Sequence, residues 1–98
     1  MAIDFEVNEL SPNDVWPLSK KGKNKYIVGD YGGALKDFNI ANEILPNGFY
    51  ILLGRGETKR MIGDCNGALE DFNKACELSP NNASTLSRRG EVKSMIGN

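Results

Sequence analysis

The chain has no histidine in its 98 residues. A histidine-ligated zinc, a serine–histidine pair and a cysteine–histidine pair are therefore excluded within it. It has two cysteines, Cys65 and Cys76, in one expected helix. Their separation spans about 16 Å along a helix axis, whereas a disulfide needs Cα atoms within about 7 Å. Reduced packing cysteines suit an intracellular protein, cytoplasmic or nuclear. No apolar run approaches the ~20 residues that cross a bilayer, so no membrane role is expected. The opening ten residues carry Asp4, Glu6 and Glu9 in place of the basic and then apolar start of a signal peptide. Positive charge is not in excess either: 12 basic residues face 13 acidic ones, for a net charge of −1. A nucleic-acid partner would call for a basic face, so none is expected. With no phosphate-binding glycine loop and no metal-ligand cluster, neither enzyme activity, a cofactor nor a metal is expected.

What the chain has instead is a repeat. Laying residues 15–48 over 49–82 without a gap gives fifteen identities. They are Leu18/Leu52, Gly22/Gly56, Lys25/Lys59, Gly29/Gly63, Asp30/Asp64, Gly33/Gly67, Ala34/Ala68, Leu35/Leu69, Asp37/Asp71, Phe38/Phe72, Asn39/Asn73, Ala41/Ala75, Glu43/Glu77, Pro46/Pro80 and Asn47/Asn81. Leu86, Gly90, Lys93 and Gly97 continue the period into a third copy. A fixed 34-residue period means stacked supersecondary units, none able to bury its apolar face alone. Such arrays present an extended surface, not a catalytic pocket.

Each unit reads as helix A, tight turn, helix B. Helix A is expected over 15–28, 50–62 and 84–96, and helix B over 31–45 and 65–79. Gly29, Gly63 and Gly97 suit a left-handed helix end. Asp30 and Asp64 can cap the helix that follows, and Asn47, Asn81 and Asn82 offer caps for the next helix A. Pro46 and Pro80 end helix B, while Pro17 is tolerated in a first turn. Helix B carries Ala34, Phe38, Ala41 and Ala68, Phe72, Ala75 at helical spacing. The alanines allow close approach and the phenylalanine fills the gap beside them.

These residues resemble the tetratricopeptide repeat (TPR). Gly22, Ala34, Phe38 and Pro46 match its signature, as do Gly56, Ala68, Phe72 and Pro80, and Gly90 in the partial third copy. The chain departs from it where Leu18, Leu52 and Leu86 replace the signature tryptophan. Lys21, Arg55 and Arg89, and Lys25, Lys59 and Lys93, replace its leucine and tyrosine. The resemblance implies an all-α solenoid of antiparallel helix pairs. Its parts are the tail of a helix B (1–14), two full repeats (15–48 and 49–82) and a lone helix A (83–98). The recurring bases with Asp37 and Asp71 read as a ladder of ion pairs between helices A and B, exposed pairs each adding little stability. A basic groove is the other reading.

The ends carry a second expectation. Glu9, Leu10, Ser11 and Pro12 repeat Glu77, Leu78, Ser79 and Pro80, and the last helix A has no helix B after it, so the chain reads as an excerpt from a longer protein; it resembles the arrays of eukaryotic regulatory adaptors. Ile3, Phe5, Val7 and Leu10 of one copy could meet Leu86, Val92 and Ile96 of another, giving head-to-tail self-association.

In the resembled family helices A line a concave groove. The ligand-facing positions carried over here include Trp16, Lys23, Tyr26, Tyr50, Leu53, Glu57, Arg60, Met61, Arg88, Glu91 and Met95. Tryptophan, tyrosine and arginine are enriched at binding hot spots, and methionine suits adaptable contacts. Trp16 and Tyr50 could instead pack against neighbouring repeats that this sequence does not include. The expected function is a non-catalytic scaffold binding a peptide or helix partner through this face. A helical-repeat RNA binder would need a basic inner face, and Glu57 and Glu91 stand there instead. Family members that grip chaperone C-terminal tails use a clamp of lysine, two asparagines, lysine and arginine. The matching positions here are Ser19, Lys23, Gly54, Ser84 and Arg88, where only Arg88 agrees. A carboxylate needs several convergent donors, so chaperone tails are not expected as ligands.

Overall fold

The computed structural model describes residues 12–97. A 3-10 turn, Pro12–Asp14, leads into five α-helices: α1 (Val15–Ile27), α2 (Tyr31–Ile44), α3 (Phe49–Ile62), α4 (Cys65–Leu78) and α5 (Ala83–Gly97). Each helix packs on its chain neighbours, and α1 also reaches α3, so the helices stack in order as a solenoid 42 Å long and 26 by 21 Å across. Among the described residues there is no strand, and no helix is long and apolar enough to cross a membrane.

The helix stops follow from local chemistry. Gly29 and Gly63 have φ of 92° and 104°, the left-handed region that glycine enters at no steric cost. At the second turn, Asp64 N–H donates to the Lys59 carbonyl at 2.8 Å and Gly63 N–H to the Arg60 carbonyl at 3.1 Å. These bonds satisfy carbonyls that a helix end would leave open. Gly97 differs from the expectation: it stays within α5. The Asp30 carboxylate then accepts from Gly33 N–H at 3.0 Å, and that of Asp64 from Gly67 N–H at 2.9 Å. Before helices A the asparagine caps are only partly realised. Asn82 accepts from Thr85 N–H at 3.0 Å, but the equivalent place in the previous copy is Gly48, which has no side chain to offer. Asn47 instead takes a left-handed turn at φ 65°.

The interior is built on close approach at glycine. Phe38 is buried, and its ring lies between α1 and α3. A Cβ added at Gly22 would stand 3.2 Å from that ring, and one added at Gly54 only 2.5 Å. Phe72 repeats the first contact, at 2.7 Å from a Cβ at Gly56. Val15, Ala41 and Ile51 form one buried cluster, and Ala68, Phe72 and Val92 another. Cys76 is buried, Cys65 is half-buried, and both are free thiols.

The charge ladder exists, but its acids are buried. Asp71 is 2% exposed and receives Arg55 through two hydrogen bonds of 2.9 Å, with Lys59 at 3.3 Å. Arg55 also donates to Asn39 at 3.2 Å, which ties the second repeat to helix B of the first. In the first repeat Asp37, also buried, has Lys25 at 3.0 Å. The approach is off the hydrogen-bonding direction, leaving Oδ2 of Asp37 ion-paired but not hydrogen-bonded. Periodic charge in the sequence could not tell a rim from a buried seam, and the seam is what forms.

Gly54→Ala should destabilise the fold by about 1–3 kcal/mol, because the ring of Phe38 must move. Gly32→Ala, in open space within α2, should stabilise it by about 0.5–1 kcal/mol through helix propensity. Thermal or urea unfolding of the two variants checks both signs. Asp71→Asn should cost about 3 kcal/mol, since it leaves cations without their partner in a largely desolvated place. Asp37→Asn, with one cation and no bidentate bond, should cost less in the same unfolding experiment.

Candidate functional site

Helices α1, α3 and α5 line a concave groove of about 960 Å³. α1 contributes Trp16, Ser19, Lys20, Lys23, Asn24, Tyr26 and Ile27, and α3 contributes Tyr50, Leu53, Gly54 and Glu57. The far wall is Arg88 of α5, and the ring of Phe38 shows at the floor beside Gly54. Of the residues expected on the concave face, the fold thus brings together Trp16, Lys23, Tyr26, Tyr50, Leu53, Glu57 and Arg88. Arg60 joins them through Glu57, donating from Nε at 2.7 Å. Glu91 lies within electrostatic reach of Arg60. Met61 and Met95 are exposed but outside this groove.

Among the described residues the two large aromatics are not consumed by packing. Trp16 is 53% exposed and Tyr50 is 71% exposed. Tyr50 stacks edge-on against Phe49 at 5.2 Å, and Tyr26 against Tyr31 at 5.4 Å. These contacts fix ring orientation while leaving apolar faces to water. Ser19 adds a hydroxyl in the groove wall with no hydrogen-bond partner among the described residues.

Charge in the groove is uneven. Lys20, Lys23 and Arg88 face a single lining carboxylate, Glu57, although the whole chain carries net −1. Glu57 takes Arg60 through Nε and, more weakly, Nη2 at 3.4 Å, and it also accepts from Nη1 of Arg88. Hydrogen bonding to Glu57 raises the pKa of the Arg60 guanidinium above its ordinary value, with burial opposing. Arg88 is further held by Ser84 Oγ at 3.3 Å.

Lys20, Asn24 and the Phe38–Gly54 floor were not anticipated. A signal for Lys20 was present: it lies 34 residues before Gly54 and 68 before Arg88, the same position in each repeat. The Phe38 floor depends on a glycine in the neighbouring repeat, which a single-repeat signature does not encode. At the ends, Ile3, Phe5, Val7 and Leu10 lie outside the described residues. Leu86 and Ile96 are exposed on α5, but Val92 is fully buried against Ala68 and Phe72. Helical spacing placed Val92 with the other two, whereas it faces inward on the preceding helix B.

No family model matches the chain, and no curated protein matches it. Solved structures do. The first TPR of Spaghetti (RPAP3) bound to HSP90 peptide SRMEEVD superposes with a TM-score of 0.82 at 20% identity, covering 89% of this chain and 69% of that one. The second TPR of the same protein, bound to the same peptide, gives 0.82 at 16% identity, covering 88% and 80%. These neighbours overturn the expectation that chaperone tails are foreign to such a groove, since the same fold holds that peptide in both. The reason is physical. Matching residue types at five clamp positions discounted Lys23, a donor of a different type at one of them, and ignored donors at other positions; Lys20, Lys23 and Asn24 line the same groove as Arg88. In fold, the chain is a tetratricopeptide-repeat-type all-α solenoid.

Proposed function

We propose that this chain is a non-catalytic protein-interaction module that takes an extended peptide in its concave groove. Acidic side chains or a free carboxylate terminus would mark the ligand, as in the HSP90 peptide held by its structural neighbours. The observation that carries this reading is the convergence of three cations and two exposed aromatics on one groove in a chain of net negative charge. Cations across a concave, partly desolvated wall steer and orient acidic ligands. Trp16 and Tyr50 supply large rigid contact area of the kind found at hot spots. Met61 and Met95, exposed beyond the groove, would extend the contact for a longer ligand.

Trp16 is the one tryptophan in the chain and lies in the groove, so its fluorescence reports binding directly. Titration with the free-acid heptapeptide SRMEEVD should change that signal saturably. The change should weaken as salt is raised. Lys23→Glu should reduce the affinity by about tenfold or more, since it adds repulsion as well as removing attraction. Absence of any saturable signal, confirmed by calorimetry, would remove the acidic-peptide reading.

A second reading, head-to-tail self-association, is favoured by one observation: Leu86 and Ile96 stand exposed on α5. Their proposed counterparts are Ile3, Phe5, Val7 and Leu10 of another copy. Light scattering over a concentration series should then show a mass rising above 10.8 kDa, and Leu86→Glu with Ile96→Glu should return it to that value. A mass constant with concentration would sink this reading.

A further inference from the structure

The guanidinium of Arg88 in the groove is already answered by a carboxylate of the chain itself. Glu57 is the single acid among the lining residues. Its carboxylate receives Arg60 of the same helix and Arg88 of α5, a residue 31 positions further on. Glu57 is 16% exposed at the side chain, while Arg88 keeps 36%. Two guanidiniums converging on one carboxylate is the arrangement in which a ligand's acid would be bound most strongly.

Lys20 and Lys23 make no ion pair among the described residues, so they are open to an incoming acid. Arg88 is not open in the same sense, because its charge is answered by Glu57. A ligand carboxylate reaching Arg88 must approach Glu57 closely, and like charges at short range in a partly desolvated groove repel strongly. A neutral ligand meets no such penalty.

We propose that Glu57 is an internal stand-in for the ligand's carboxylate. The acid of a bound peptide pairs with Arg88 by displacing Glu57, and Glu57 thereby sets how strongly the groove selects acidic ligands. Its side chain turns towards Arg60 when displaced, which already holds it through Nε at 2.7 Å. This inference rests on the peptide-groove reading and adds to it the residue of the chain that competes with the ligand's acid.

The test compares wild type with Glu57→Gln, using Trp16 fluorescence and two probes. One is SRMEEVD with a free terminus. The other is a neutral counterpart, acetylated and amidated at its ends, with glutamine in place of the arginine and amides in place of the three acidic side chains. Glu57→Gln should tighten the acidic peptide about three- to tenfold and leave the neutral one unchanged. Adding Arg88→Ala should erase the gain. Gln keeps a hydrogen-bond acceptor for Arg60, and Glu57→Ala serves as a second variant should thermal unfolding show the first to be disturbed. Unchanged or weaker acidic binding in both variants, with wild type still binding, overturns the stand-in role and leaves the groove reading intact. An equal gain for both probes also overturns it, because shape and not charge would then have been relieved. No binding of either probe to any form overturns the groove reading and this inference together.

Discussion

The close approach of a phenylalanine ring to glycine backbone is the constraint on which the rest of this structure hangs. Phe38 lies where a Cβ at Gly22 or Gly54 would crowd it, and Phe72 lies likewise against Gly56. Interiors are packed too densely to absorb an extra methyl group without movement. The missing side chains therefore set how near α1, α2 and α3 can come, and the alanines at zero exposure in helix B keep the partner surface equally thin. Because the contact recurs with the sequence period, it propagates a fixed offset from one helix pair to the next. The concave groove is a consequence of that offset, and its floor is the same Phe38 ring that spaces the helices.

Electrostatics then fixes the register that packing alone leaves soft. Burying Asp71 costs solvation that only well-placed partners recover. Arg55 supplies a bidentate pair and Lys59 a second cation, while the spare guanidinium nitrogen reaches Asn39 in the preceding repeat. A sliding of α3 along α2 would lose the Asn39 bond, and a rotation of α3 on α4 would lose the fork. The first repeat has lysine where Arg55 stands, and Asp37 is left with one ion pair. Lysine presents a point charge and cannot make the planar fork, so the second repeat is the better locked of the two.

Much of this was legible because it is local. The glycine stops, the aspartate caps and the helix periods involve residues within four positions of one another. Helix bounds inferred from them fall within one residue of those observed. The groove was legible to the extent that one position recurs on one face: Trp16 and Tyr50, or Lys23 and Glu57, share a place in the repeat. What escaped were properties that depend on two repeats at once. Val92 was grouped with Leu86 and Ile96 by spacing, yet α4 covers it. The burial of Asp71 depends on how α3 and α4 face each other, which alternating charge does not specify. The chaperone-tail expectation failed for a related reason. It asked whether each position held a family residue, when recognition of a carboxylate depends on how many donors converge, from whatever positions.

On the proposed reading, variation at two recurring positions gives the groove a direction. One position is Lys20, Gly54 and Arg88 along the three copies, and the other is Lys23, Glu57 and Glu91. Both are cationic in the first repeat. In the middle the first position is empty and the second acidic. In the third, arginine is set against the acid of the second. A uniform charge would let a peptide bind in either orientation and at any offset. On that reading, Lys20 and Lys23 of α1, with no ion pair among the described residues, and the arginine of α5 answered by Glu57 make the ends of the groove inequivalent: an acid enters freely beside the lysines, whereas at Arg88 it must first displace Glu57. Gly54 between them keeps the wall low over Phe38, where an apolar side chain can settle beside Leu53 and Tyr50. On the proposed reading, the glycine that the packing demands is also what separates the acidic and apolar parts of the ligand.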